Sequence, residues 1–137
     1  MALNIIQVEY FNTIIEKKIT NESELISTIV SSGVDFHAFK AIPVNQHQTQ
    51  FTFFAKESAK MIDGAIKSGL NLDGPYPALL IKGDEESGAL GEIYKKLALE
   101  GIQVNEACGI ADVNAGYGVI LYLNKEDCGK AMSVLMK

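Results

Sequence analysis

The stretch that decides the fold runs from Ala78 to Val104 and reads ALLIKGDEESGALGEIYKKLALEGIQV. It opens with a continuous apolar run, which is typical of a buried β-strand. Three acids and a Ser-Gly pair then lead into apolar residues at helical spacing, namely Leu90, Ile93, Tyr94, Leu97 and Ala98. Gly101 predicts the end of this helix, and a second strand is expected to follow it.

The same order of elements occurs twice in the chain. When Gly33 is placed on Gly101, the sequence aligns with itself without a gap, so that Ile42 falls on Ile110 and Phe51 falls on Val119. A fixed period of this kind indicates a duplicated unit. We therefore expect a first domain over residues 1–73 and a second over 74–137, and the second ends without room for a final strand.

The first half predicts strand, helix, strand, strand, helix. IIQVEYFNTII is the first strand, and the helix after it carries Leu25, Ile29 and Val30 inward, with Asn21 and Glu24 resembling a capping box. GVDFHAFKAIPV and TQFTFFAKE form a strand pair. A helix over residues 58–67 is predicted to point four residues inward: Met61, Ile62, Ala65 and Ile66. GLNLDGPYP then supplies a short fourth strand or a linker.

The second half repeats this order after its first helix. IQVNEACGIADV and YGVILYLNK are two strands joined at residues 114–116, and a last helix carries Cys128, Ala131, Met132 and Leu135 on one stripe. This order predicts an α+β fold with an antiparallel sheet and helices on one face, which is the ferredoxin-like arrangement, present twice.

The charge pattern argues against a nucleic-acid partner. The formal net charge is -5, and all 12 basic residues are lysines. Arginine provides most two-pronged recognition of phosphates and base edges, and no lysine cluster here exceeds a pair. We expect no nucleic-acid binding.

We expect a cytoplasmic protein that does not cross a membrane. No segment approaches the roughly 20 apolar residues of a membrane span, and MALNIIQVEY does not resemble a secretory signal. Two cysteines do not form a disulfide framework, so Cys108 and Cys128 are expected to be buried small apolar residues.

Taken together, the repeat and the Ala78–Val104 stretch resemble an ACT domain. That family combines an apolar strand, an acid near the turn, Pro-Gly-x-Leu at the helix start and a closing Gly-Ile-x-Val. Here Gly88 and Leu90 match, residues 101–104 match the closing element, and Ser87 stands where proline is usual. The pattern covers about half the chain. The first half joins it only through the repeat, with Thr20 at the position of Gly88, so its loop is the more degenerate.

The resemblance implies a free-standing tandem ACT protein that binds an amino acid or a similar metabolite at an interface between ACT units. Amides at the helix start suit a carboxylate, and an adjacent acid suits an ammonium group. The expected ligand-binding residues are Asp84, Glu85, Ser87, Gly88, Ala89 and Leu90, with Asn105 and Glu106 as contacts from a second side.

Two other interpretations remain open at this point. In the first, the three acids only complement the helix dipole, and each stabilises the helix by about 0.3 to 1 kcal/mol without any ligand. The loop then binds nothing, and the chain is a structural association module. An enzyme is the other interpretation. Because no nucleophile–base pair or metal cluster appears at recognisable spacing, we expect no enzymatic activity, no metal and no cofactor.

Apolar residues on both faces of the strands predict a homodimer. Phe51 and Phe53 alternate with Phe54, and Val119 and Leu121 alternate with Ile120 and Tyr122. Helices cover only one face of such a sheet, so we expect the sister domain or a second chain to cover the other.

Overall fold

A computed structural model describes residues 3–83, 89–112 and 116–137. The described residues form the following elements: β1 (Leu3–Glu16), α1 (Ile19–Ser31), β2 (Phe36–Pro43), β3 (Gln48–Ala55), α2 (Ser58–Ser68), β4 (Asp73–Gly83), α3 (Ala89–Leu99), β5 (Val104–Asp112), β6 (Gly116–Leu123) and α4 (Cys128–Leu135), with a short 3-10 turn at Lys125–Asp127. The fold is α+β and follows the predicted ferredoxin-like order.

The chain divides into two compact units, and strands β1 and β4 have residues in both. The first unit is Glu9–Tyr76, and the second combines Pro77–Lys137 with Met1–Val8. The division after Tyr76 lies three residues beyond the expected domain end at residue 73. Residues 3–8 therefore group with the later part of the chain, which the repeat in the sequence did not indicate.

The first unit has the strand order β2-β3-β1-β4, with the start of β4 as its fourth strand. β3 is antiparallel to both neighbours, and Phe53 lies opposite Phe11 of β1 and Phe39 of β2. Side chains of β1 and β3 pack against Leu25 of α1 and Met61 of α2 in one apolar core. This core lies on the helix-covered face of the sheet.

The second unit has the order β1-β4-β6-β5, and residues 3–8 of β1 take the place of the fourth strand. β6 is antiparallel to β4 and β5. Ile5 packs in the same core as Leu79 of β4, Ile93 of α3 and Leu135 of α4. The strand that residues 74–137 lack thus comes from the start of the chain.

The repeat holds for the strand register as well as for the sequence. Phe11 pairs with Phe53 in the first unit, and Leu79 pairs with Leu121 at the corresponding positions of the second. The irregularity in β2, at Phe36/Ala38, recurs in β5 at Val104/Glu106, which are the aligned positions of the second unit. Because both units have a β-bulge at matching positions, the bulge belongs to the repeated unit.

The inward stripes of the helices are narrower than the sequence predicted. Of the residues expected inward, Leu25, Ile29, Met61, Ala65, Ile93, Leu97, Cys128, Ala131 and Leu135 are buried. Six others are exposed, namely Val30, Ile62, Ile66, Leu90, Tyr94 and Ala98, and Met132 is half-buried. A helix on a sheet buries only the residues facing that sheet, so apolar residues on its flanks stay in solvent.

The predicted capping box at Asn21 and Glu24 is wrong. Helix α1 begins at Ile19, with Lys18 as the N-cap residue and no side-chain capping bond. Asn21 lies inside the first turns, where its Nδ2 donates to the carbonyl of Glu16 at 3.4 Å. The helix therefore starts earlier than its polar residues indicated.

Apolar residues that alternate with the helix-facing rows are also buried. Phe54 is 1% exposed, Leu80 and Ile120 are each 9% exposed, and Tyr122 is 6% exposed. The ring of Tyr10 contacts that of Phe54, with the two centroids 5.2 Å apart. Because these side chains are removed from water within a single chain, this face does not by itself require a second copy.

Gly74 permits the close approach of β4 to β1 in the first unit. Its φ is 141°, and a Cβ at this position would lie 2.7 Å from the carbonyl oxygen of Tyr10. Both the backbone conformation and the contact exclude a side chain.

We expect Gly74→Ala to lower the free energy of unfolding by about 2 kcal/mol or more, since Ala adds strain at positive φ and a backbone clash. Denaturant unfolding measures this change. Gly129→Ala is the matched control because a Cβ there meets nothing within 4 Å, and its stability should be unchanged or slightly higher. Equal effects of the two substitutions would contradict the assignment.

Candidate functional site

The expected ligand loop of the second unit joins the end of β4 to the start of α3. Asp84, Glu85, Ser87 and Gly88 lie outside the described residues, so the structure adds nothing about them. The loop is bounded by Gly83, the last residue of β4, and by Ala89, the first residue of α3. A strand end followed by a helix start is the arrangement predicted for this loop.

Ala89 and Leu90 differ in their environment. Ala89 is 2% exposed, so its side chain belongs to the interior and only its backbone is suited to contact a ligand. Leu90 is 50% exposed, which leaves its side chain in contact with solvent. Of the two, Leu90 offers an apolar side chain at the surface, and Ala89 offers a helix-start amide.

Asn105 and Glu106 lie at the opposite end of the second unit's sheet from the loop. Gly83 pairs with Tyr117, whereas Glu106 pairs with Tyr122, five residues further along β6. At about 3.3 Å per residue this is a separation of roughly 17 Å. Asn105 Nδ2 donates to Asn124 Oδ1 at 2.9 Å. One unit alone does not bring these residues to its own loop.

Tyr117 is a neighbour of the loop that the sequence did not reveal. A Cβ at Gly83 would lie 2.5 Å from Tyr117 Oη and 2.7 Å from its Cζ, so the tyrosine ring lies across the glycine. Ala111 of β5 pairs with Tyr117 from the other side. The sequence GYGVILYL predicts a strand. Its contact with Gly83 depends on the register between β4 and β6, which the sequence does not give.

The corresponding loop of the first unit borders a cavity of about 490 Å³. Its lining consists of Glu16, Lys17, Lys18, Asn45, His47 and Gln48. The backbone N–H of Lys17 donates to the carbonyl of His47 at 2.7 Å, which ties the loop to the β2–β3 connection. His47 lies in that connection.

The two loops have opposite charge at equivalent positions. Lys17 and Lys18 of the first copy align with Glu85 and Glu86 of the second. Lys18 Nζ lies 3.5 Å from Glu16 Oε2, and the two side chains are 67% and 70% exposed. Exposed pairs of this kind contribute little stability, so Lys18 remains available to another anion.

The described residues contain no group of three or more His, Cys, Asp or Glu side chains that could hold a metal ion. Cys128 is buried as expected, with its Sγ donating to the carbonyl of Asn124 at 3.7 Å. Burial raises the pKa of its thiol, and the carboxylates of Asp127 and Glu126 raise it further. Cys108 is exposed, contrary to expectation, because β5 is an edge strand.

No described helix has the length and apolar character that crossing a bilayer requires. The chain matches no protein-family model. It also matches no curated protein sequence.

Solved structures share its fold over nearly the whole chain. Protein BT0572 from Bacteroides thetaiotaomicron aligns with 96% of this chain and 88% of its own, at a TM-score of 0.81 and 15% identity. The ligand-free regulatory subunit of aspartate kinase from Thermus thermophilus aligns with 99% of this chain and 96% of its own, at a TM-score of 0.65 and 11% identity. The aspartokinase α and β subunits give a TM-score of 0.66 and 15% identity, over 98% and 95% of the two chains.

At these identities the likeness establishes the fold and nothing further. It supports an ACT-like fold, in agreement with the resemblance seen in the Ala78–Val104 stretch. The α+β architecture with ferredoxin-like units is thus common to this chain and to regulatory subunits of aspartate kinase.

The contact between Gly83 and Tyr117, where the loop leaves β4, can be tested by mutation. We expect Gly83→Ala to destabilise the protein by about 1 to 3 kcal/mol, because the new methyl group overlaps the tyrosine ring. Unfolding of Gly83→Ala, Tyr117→Leu and the double variant forms a double-mutant cycle. The penalty of Gly83→Ala should shrink in the Tyr117→Leu background, and strict additivity would show that the two residues do not interact.

Proposed function

We propose that this chain is a cytoplasmic, non-catalytic regulatory protein of the ACT type that binds an amino acid or a similar small metabolite. The observation that carries this proposal is the fold match to the aspartate kinase regulatory subunit, which extends over 99% of this chain and 96% of that one. The match supports a regulatory role because the neighbour is itself a regulatory polypeptide.

The second unit's loop has the residue types that a zwitterion requires. Asp84 and Glu85 suit an ammonium group, and backbone amides at Gly88, Ala89 and Leu90 suit a carboxylate. Leu90, half exposed, adds apolar contact. This proposal assigns the ligand to the loop between β4 and α3.

Residues 105 and 106 join such a site only from another unit or another copy. Their place at the far end of the sheet, roughly 17 Å from Gly83 along β6, excludes them from the loop of their own unit. Asn105 and Glu106 are both exposed and therefore accessible to a neighbour.

The first unit's loop favours an anionic group instead. Lys17, Lys18 and His47 line its cavity, together with the carboxylate of Glu16. Lysine ammonium groups bind carboxylates as point charges. The two loops thus differ in charge and suit different ligands.

Thermal-shift screening of the 20 amino acids tests this function. A ligand that binds only the folded state raises the melting temperature by mass action, with about 2.7 kcal/mol of stabilisation at 100 times Kd. We expect at least one amino acid to raise it, and Gly88→Val to abolish the shift because a side chain there blocks backbone approach.

Thr20→Val is the matched control, since Thr20 occupies the position equivalent to Gly88 in the first unit. It should leave the shift intact. No shift with any amino acid would contradict the proposal, and a shift that survives Gly88→Val would move the site away from this loop.

A structural association module is the second candidate function. Several large apolar side chains are exposed to solvent. Ile110 on edge strand β5 is 79% exposed, Leu99 is 77% exposed and Ile66 is 75% exposed. An unpaired strand edge with apolar side chains favours pairing with another chain.

The exposed apolar side chains support a homodimer under either proposed function. We expect light scattering after size exclusion to give twice the chain mass, and Ile110→Lys to shift the population toward monomer because a buried charge opposes edge contact. Lys137→Ala, a change at an exposed terminal residue, is the control. A monomer at all concentrations would contradict the dimer.

A further inference from the structure

The first unit has an apolar groove between helix α1 and edge strand β2. Its volume is about 490 Å³, within the range of small-molecule sites. Phe51 and Phe53 of β3 are among its lining residues, while Phe39 of β2 and Val30 of α1 line its sides. All these side chains belong to the Glu9–Tyr76 unit.

Two large apolar side chains that line the groove are exposed to solvent. Phe39 is 60% exposed and Val30 is 59% exposed, whereas Phe51 and Phe53 are buried. Covering exposed apolar surface is favourable by about 25 cal/mol per Å². Phe39 and Val30 therefore offer apolar contact area to a bound molecule.

The fold itself does not require these aromatic residues. At the equivalent positions of the second unit, Ala107 replaces Phe39 and Val104 replaces Phe36. Ala107 still pairs with Leu121, as Phe39 pairs with Phe53. The same strand pair thus forms without a phenyl ring at the edge, so the ring serves something other than strand pairing.

A carboxylate stands at one end of the groove. Glu22, in the first turn of α1, lines it, and Thr49 Oγ1 donates to Glu22 Oε1 at 3.2 Å, which orients the group. The described lining residues include no Lys, Arg or His. Leu90 occupies the equivalent position in the second unit, so this charge also belongs to the first unit alone.

We propose that this groove binds a small organic cation with an aryl or alkyl body and a primary ammonium group. The apolar body lies among Phe39, Val30 and the phenyl rings of β3, and the ammonium pairs with Glu22. A free amino acid fits less well, because its carboxylate meets Glu22 and no lysine among the described lining. The site shares no lining residue with the first unit's loop cavity and goes beyond the proposed function.

2-Phenylethylamine is the probe, and titration calorimetry with amide NMR measures its binding. We expect saturable binding, with shifts concentrated in α1, β2 and β3. Glu22→Gln should weaken it about tenfold or more, because a charged partner is lost. Glu24→Gln is the matched control: it removes the same charge from the same helix but does not line the groove.

Phe39→Ala should also weaken binding severalfold, and since Phe39 is largely exposed the variant keeps its core. Met136→Ala, which removes an exposed apolar side chain from the second unit, should leave the binding of 2-phenylethylamine unchanged. Melting curves of each variant verify folding.

Three results would overturn the proposal. The first is absence of saturable binding of 2-phenylethylamine to the unaltered protein. The second is binding of 3-phenylpropionate or phenylalanine as tight as that of the amine, which would remove the role of Glu22. The third is a change of oligomeric state in Phe39→Ala, which would make the groove an interface between copies. The Gly88→Val screen tests the loop separately, so the two proposals fail independently.

Discussion

The antiparallel register of the central strand pairs is the constraint on which the rest of this structure depends. Phe11 opposite Phe53, and Leu79 opposite Leu121, place one apolar row of each strand under the helices. A shift by one residue would turn every side chain to the other face. Because the register is the same in both units, down to the bulge in β2 and β5, each unit forms one core under two helices.

The register also decides what surrounds each loop. It brings Tyr117 across Gly83 at the base of the second unit's loop and keeps Glu106 at the far end of the sheet. The loop after β1 contains Lys17, and the loop after β4 contains Glu85 at the aligned position, so the two loops differ in charge. The two units thus share a scaffold and differ in their loops, and function resides in sites carried by a fold and not in the fold itself.

The two units also differ on the flank beside their edge strands. The first has an aromatic groove with Phe39 and Glu22, and the second has Ala107 and Leu90 at the same places. Such differences leave strand pairing untouched, because side chains at an edge strand contribute little to the core. The helix-facing rows remain apolar in both copies, although their residues differ.

The sequence alone determined the order of elements, the repeat and the helix-facing rows, because hydrophobic periodicity and glycine positions are local signals. Tertiary structure decided what local signals cannot encode. Residues 3–8 complete the second unit as its fourth strand, since strand pairing joins segments far apart in sequence. It also left Val30 and Ile62 in solvent and separated Asn105 from the loop. Each of these outcomes depends on which face or end of a sheet a residue occupies, and only the assembled sheet defines that.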